Sequence, residues 1–209
     1  MIIIRKFAFE NLRGNGKIIE VFGLPKAGKS FYIQERAKEG KKTSDFENLN
    51  ALNKVLLFLK YAIKHLFSTA HLFYKLNSNW LKMPELRWKD YFLIWRMRNS
   101  YLCAVLGKYE YLRNYKIEAY VDEYIMQSLF MIFHKKVDRN EIKKTMRMLP
   151  QNCKIIVIEE DKEKRYERWK KIKNPARKLN LNFRMKWWGI NEKNYEIIKK
   201  ILKENYKTL

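Results

Sequence analysis

Gly23-Leu-Pro-Lys-Ala-Gly28-Lys29-Ser30 decides how the other residues of this 209-residue chain are read. The stretch fits G-x-x-x-x-G-K-S at every fixed position. Its glycines let the backbone close tightly, so that consecutive N–H groups point at one anion. The flanks supply the setting that this requires. Lys17-Ile-Ile-Glu-Val-Phe22 reads as a strand entering the loop, and Lys29–Lys38 as a helix leaving it and ending near Gly40. That helix adds the positive end of its dipole. The loop is expected to hold the phosphates of ATP or GTP, bound by Gly23, Lys26, Ala27, Gly28, Lys29, Ser30 and Phe31. Lys29 is expected at the β- and γ-phosphates, and the Ser30 hydroxyl at Mg²⁺.

A Mg-nucleotide site also needs a carboxylate at the end of a neighbouring strand. Ile117–Val121 is a short β-like run followed at once by Asp122-Glu123. Asp122 is expected on the Mg²⁺ side, with Glu123 orienting a water or touching the metal's outer shell. The plainer reading of such a pair is turn chemistry or a helix start. A third feature follows the apolar strand Lys154–Ile158, where a charged helix runs over Asp161–Lys173. Residues 162–178 hold nine Lys or Arg against two Glu. Arg165 and Arg168, three apart, share a helix face and suit a lid over a migrating phosphoryl group. A solvated surface helix and a strip for nucleic acid are the competing readings.

The rest of the chain alternates in the same manner. Ile2–Phe9 is β-rich, and the turn-like Asn11–Gly16 after it suggests a hairpin with the strand at 17–22. Asn48–Leu76 repeats Leu52, Val55, Leu56, Leu59, Ile63 and Leu66 at helical spacing, with lysines between them. An amphipathic helix packed on the sheet is the expectation there, with a helix on an anionic membrane surface as the other reading. Pro84 separates this stretch from a second helical one at Trp88–Arg113. Ile125–Lys135 and Arg139–Met148 read as helices, Phe183–Trp187 as a last strand and Glu192–Tyr206 as a last helix. Short strands alternating with helices imply an α/β chain with a parallel sheet.

Composition sets outer limits. Hydrophobic residues at 47% exclude global disorder, and no window is long and apolar enough to span a bilayer. The +23 charge attracts polyanions, whether nucleic acid, anionic lipid or phosphorylated substrate. An AT-rich genome accounts for a Lys-, Ile- and Asn-rich composition equally well. Cys103 and Cys153 stand apart as free thiols, and His65, His71 and His134 complete no zinc pattern. A cytoplasmic protein is the expectation.

Gly23–Ser30, then Val121-Asp122-Glu123, then Ile155–Ile158 and Asp161 leading into Arg165 and Arg168, resemble in that order the small P-loop kinases. The nucleoside and nucleotide kinase group that includes thymidylate kinase is the most similar. The resemblance covers about two-thirds of the chain. It implies a three-layer P-loop NTPase fold with a mostly parallel five-stranded sheet, the strand before the loop being central. It also implies γ-phosphate transfer from Mg-ATP to a small acceptor such as a nucleoside, nucleotide or glycan-type molecule. Catalytic roles would fall to Lys29, Asp122, Arg165 and Arg168, and the metal to Ser30 and Asp122. One domain, 1–209, would then carry a lid at 161–178 and a helical aromatic and basic insertion at 48–113.

The chain departs from the family in lacking its Asp-Arg-Tyr or Asp-Arg-His substrate motif. Asp45, after Lys42-Thr-Ser, is a weak substitute as general base beside its plainer role as a helix cap. Arg87, Trp88, Lys89, Arg96 and Arg98 lie in the insertion, and one of Arg96 or Arg98 is the candidate for an anionic group on the acceptor. The alternative function is an ATPase or GTPase acting on nucleic acid or a partner protein through the basic surface.

Overall fold

The computed structural model describes residues 2–9, 18–78, 88–113, 119–133, 135–150, 153–170 and 181–208. Among the described residues there are six strands, four of them at expected β-runs: β1 (Ile2–Phe9), β2 (Ile18–Phe22), β3 (Lys42–Thr43), β4 (Ala119–Asp122), β5 (Cys153–Glu160) and β6 (Tyr206–Thr208). Among the same residues eight α-helices connect them: α1 (Lys29–Lys38), α2 (Ala51–Lys64), α3 (Leu66–Ser78), α4 (Trp88–Leu112), α5 (Ser128–Ile132), α6 (Arg139–Met148), α7 (Lys162–Lys170) and α8 (Leu181–Asn205). The chain is α/β.

The strands form one sheet in the order β3-β4-β2-β5-β1-β6. β3, β4, β2 and β5 run parallel, as short apolar strands joined by helices should. β2, which enters the glycine loop, lies between β4 and β5, inside the parallel part. Two expectations about the sheet are corrected. β1 does not form a hairpin with β2 but lies antiparallel between β5 and β6, and the short strands β3 and β6 join the sheet outside the expected β-runs. The turn-like residues 11–16 fall outside the described residues.

Side chains alternate across the central strands and build two cores. Ile18, Phe22, Val121, Ile155 and Val157 face a large core filled from α3, α4, α5, α6 and α8. Ile19, Val21, Tyr120, Ile156 and Ile158 face a smaller one closed by Ala27 and by Tyr32 of α1. Helices therefore cover both faces of the parallel strands. Burial of both faces is why these strands read as continuous apolar runs.

α8 replaces the expected strand at Phe183–Trp187. Its buried residues Trp188, Asn191, Tyr195, Ile198 and Leu202 recur at three- and four-residue steps, a helical period that outweighs the short alternation preceding it. The apolar stretch 48–76 is two helices, broken at His65, whose backbone leaves helical geometry (φ −127°, ψ 42°). Ile125–Lys135 yields only the short α5. Pro84 and Arg87 lie outside the described residues.

Candidate functional site

The register explains why the loop and the acidic pair meet. Val21 pairs with Asp122 and Phe22 with Val157, so β2, β4 and β5 finish along one edge of the sheet. Loops at the C-terminal ends of parallel strands line the crevice that such sheets use for ligands. Gly23 leaves β2 pressed against β5. A Cβ there would lie 2.6 Å from the Ile158 carbonyl oxygen, closer than atoms can approach, so only glycine fits. Lys26 (φ 68°) and Gly28 (φ 89°) adopt left-handed backbone, which curves the loop at the start of α1.

Lys29 is buried, and its ammonium donates to the carbonyls of Gly23 (3.1 Å) and Leu24 (3.3 Å). Burial holds its pKa below the ordinary value, and the charges of Asp122 and Glu123 oppose that shift. The Ser30 hydroxyl donates to Asp122 Oδ2 at 2.9 Å, across 92 residues of sequence. A hydroxyl and a carboxylate this close are hard oxygen donors of the type Mg²⁺ takes from a protein, alongside water and phosphate oxygens. Among the described residues no group of three or more His, Cys, Asp or Glu gathers to hold a metal. A site completed by phosphate and water needs no such group.

Glu123 carries the other strained backbone, at φ 49°. Its carboxyl is held above the ordinary value by desolvation and by the neighbouring Asp122 charge, against Lys29 and Lys108. Three residues that the sequence reading did not single out surround this point. Lys108 of α4 bonds Glu47 Oε1 at 2.6 Å and reaches the Asp122 carbonyl at 3.4 Å. The Tyr101 hydroxyl is buried with no hydrogen-bond partner among the described residues, and the charges of Glu123, Glu20, Asp122 and Glu47 act on it. Asp45 is exposed and its side chain caps nothing, so the carboxylate next to the site from this segment is Glu47.

Beneath the site, Glu20 interrupts the apolar β2. Its carboxylate accepts from the backbone N–H groups of Met126 (2.9 Å) and Gln127 (3.0 Å), pinning the turn that follows Glu123. Burial pushes its pKa up to about 7 despite those two donors. A lone charge in a five-residue buried strand was the available signal, because such a group must find partners.

The two arginines of α7 part company. Arg168 bonds Glu160 Oε2 at 2.6 Å and lies 3.5 Å from the Lys26 carbonyl, beside the loop. Arg165 is buried, bonded to the Glu160 carbonyl and Glu192 (each 3.1 Å) and stacked 5.4 Å from the Trp188 ring centroid. Residues 171–178 of the expected lid lie outside the described residues. Arg98 is buried too, donating to the carbonyls of Met131 (2.8 Å) and Ile132 (3.4 Å), with its pKa pushed down to about 9 by burial. Arg96 is exposed. Phe31 is exposed beside the loop, and His65 and His71 join no metal-binding group. His134 lies outside the described residues.

No family model, curated protein or solved structure matches the chain. Function therefore rests on the site. Its geometry combines a glycine-containing loop curved at the start of α1, a hydroxyl and carboxylate pair beside it, and a desolvated carboxylate within the same cluster. Among the described residues no helix is long and apolar enough to cross a membrane.

Proposed function

We propose that the protein is a P-loop phosphotransferase that moves the γ-phosphate of ATP to a hydroxyl or phosphate oxygen of a small acceptor. The observation that carries the reading is the 2.9 Å contact between Ser30 and Asp122 at the mouth of the Gly23–Ser30 loop. It joins the two residue types that a Mg-nucleotide site requires. Of the three-layer P-loop NTPase fold that goes with this reading, helices on both faces and the loop strand between parallel neighbours support the assignment. The antiparallel pair β1 and β6 would be an addition at one edge.

In this reading the loop amides and Lys29 bind the β- and γ-phosphates. The Lys29 ammonium exchanges its two carbonyl partners for anionic phosphate oxygens, whose attraction offsets the burial cost on its charge. Ser30 and Asp122 would hold Mg²⁺, which supplies charge neutralisation at the phosphate oxygens. Arg168, next to the loop, stabilises charge on the migrating group, while Arg165 keeps α7 anchored to α8. An acceptor oxygen attacks the γ-phosphorus, the bond to the β–γ bridging oxygen breaks, and ADP leaves. Glu123 takes the proton of an acceptor hydroxyl, a task suited to a carboxyl with a raised pKa. The unpartnered Tyr101 hydroxyl is available to orient that acceptor.

The test is incubation with Mg²⁺ and γ-labelled ATP against nucleosides, nucleoside monophosphates, sugars and a lipid-glycan extract, with Lys29→Ala as control. Label transferred to one acceptor by the wild type alone supports the proposal. Free phosphate released only on addition of DNA or RNA would replace it with a nucleic-acid-dependent ATPase, the reading that the +23 charge favours.

A further inference from the structure

Among the described residues, α2 and α3 leave an apolar face uncovered. Leu52, Val55, Leu56, Leu59 and Ile63 follow one another at three- and four-residue steps along α2, and every one of them is exposed. The stripe runs about 16 Å along the helix axis. α3 adds Leu66, Phe67 and Tyr74, with Ile63 79% and Phe67 90% exposed. α2 packs on α4 through other positions. Tyr61 meets Tyr109 edge-on with ring centroids 5.4 Å apart, and Gly107 lets the Lys54 and Phe58 backbone come close to α4. The exposed stripe is thus left over after α2 has been docked, and monomeric proteins seldom expose so many large apolar groups together.

Charge identifies what covers it. Residues 51–78 contain four lysines and no Asp or Glu. Lys60 and Lys64 stand next to Leu59 and Ile63 in sequence and flank the stripe. Their carboxylate partner is the buried Glu110 of α4, at 3.4 and 2.8 Å, which also binds Arg113 at 3.1 Å. Three cations around one carboxylate leave a net charge of +2 beside the apolar face. A second copy of a +23 chain would bring like charge against like, and nucleic acid offers no match for eight exposed aliphatic and aromatic side chains. An apolar stripe rimmed by lysines matches an anionic bilayer, whose acyl boundary takes the stripe and whose headgroups take the lysines.

We propose that the α2–α3 face docks the protein on an anionic lipid surface, lying in the interface without crossing it. The test is flotation of the full-length protein with vesicles of phosphatidylcholine alone or of phosphatidylcholine with phosphatidylglycerol, at low and high salt. The wild type is expected to float with the anionic vesicles, less so at high salt, and to stay behind with neutral ones. The double variant Ile63→Glu, Phe67→Glu is expected to lose at least about tenfold of the binding with its circular dichroism unchanged, since both side chains are exposed. Absence of flotation with either vesicle, or equal flotation by the double variant, overturns the proposal. So does a wild-type dimer that the double variant splits without any effect on vesicles. Loss of RNA retention in the variant with vesicle binding intact would assign the face to nucleic acid and also overturn it.

Discussion

The parallel strands and the α2–α3 pair handle their awkward groups in opposite ways. Around β2, β4 and β5 the burdens are polar, and they are settled internally: Glu20 holds two backbone N–H groups, Ser30 meets Asp122, and Lys29 caps the loop carbonyls. On α2 and α3 the burdens are apolar, and they are left facing out. In the first region Glu20 and Lys29 are buried, where an unsatisfied partner would be costly, and each has its partners. The second contributes through its other side, Tyr61, Leu72 and Leu76, and keeps its stripe for something outside the fold. Lys108 and Tyr101 connect the two regions, since α4 carries both beside Asp122 and Glu123 and also receives α2.

Substitutions separate the regions. The largest effect is expected from Lys29→Ala, which should reduce phosphoryl transfer by about a hundredfold or more. Its melting temperature should hold or rise, because the buried ammonium and its desolvation penalty disappear. Calorimetry and the labelled-ATP assay read the two outcomes side by side. An unfolded variant would mean that Lys29 is structural. Within α3, Leu72→Ala removes a fully buried side chain and should cost about 2–5 kcal/mol in urea unfolding.

Glu20 supplies a pH test of the polar region. Its folded pKa of about 7 lies above the ordinary 4.5, so the folded state holds a proton that the unfolded chain has released. The resulting stability is full below pH 4.5 and is lost as pH rises through 7, a change of at most about 3 kcal/mol. Glu20→Gln should flatten the stability profile over that window. An unaltered slope would mean that another group titrates there. The smallest effect is expected from Phe67→Glu, within about 0.5 kcal/mol of wild type in the same urea experiment. A loss comparable to that of Leu72→Ala would show the stripe to be buried in solution, and the contrast between the regions would collapse.

Legibility in the sequence followed the same division. The strand, loop and helix over 18–38 were readable because turn chemistry and helix ends act over a few residues, whereas the meeting of Ser30 with Asp122, 92 residues away, was an expectation from metal-site chemistry and not from local pattern. Strand order was partly readable, since the parallel centre follows from alternation with helices. The antiparallel place of β1 was not, because pairing with β5 spans most of the chain. Helical period identified the stripe of Leu52–Ile63 as one face, yet period alone does not say whether a face is covered, and the expected burial against the sheet was wrong. The arginine pair is split for a related reason. Shared helix face places Arg165 and Arg168 near each other, but Glu192 and Trp188 on the distant α8 claim one of them.

The most direct test of the central claim is calorimetric titration of ATP into wild type, Lys29→Ala and Asp122→Asn, each with and without Mg²⁺. The proposed site predicts binding by wild type that strengthens with Mg²⁺, little binding by Lys29→Ala, and binding by Asp122→Asn that Mg²⁺ no longer strengthens. Affinity for ATP that is unchanged in both variants, or no binding by wild type at all, would contradict it.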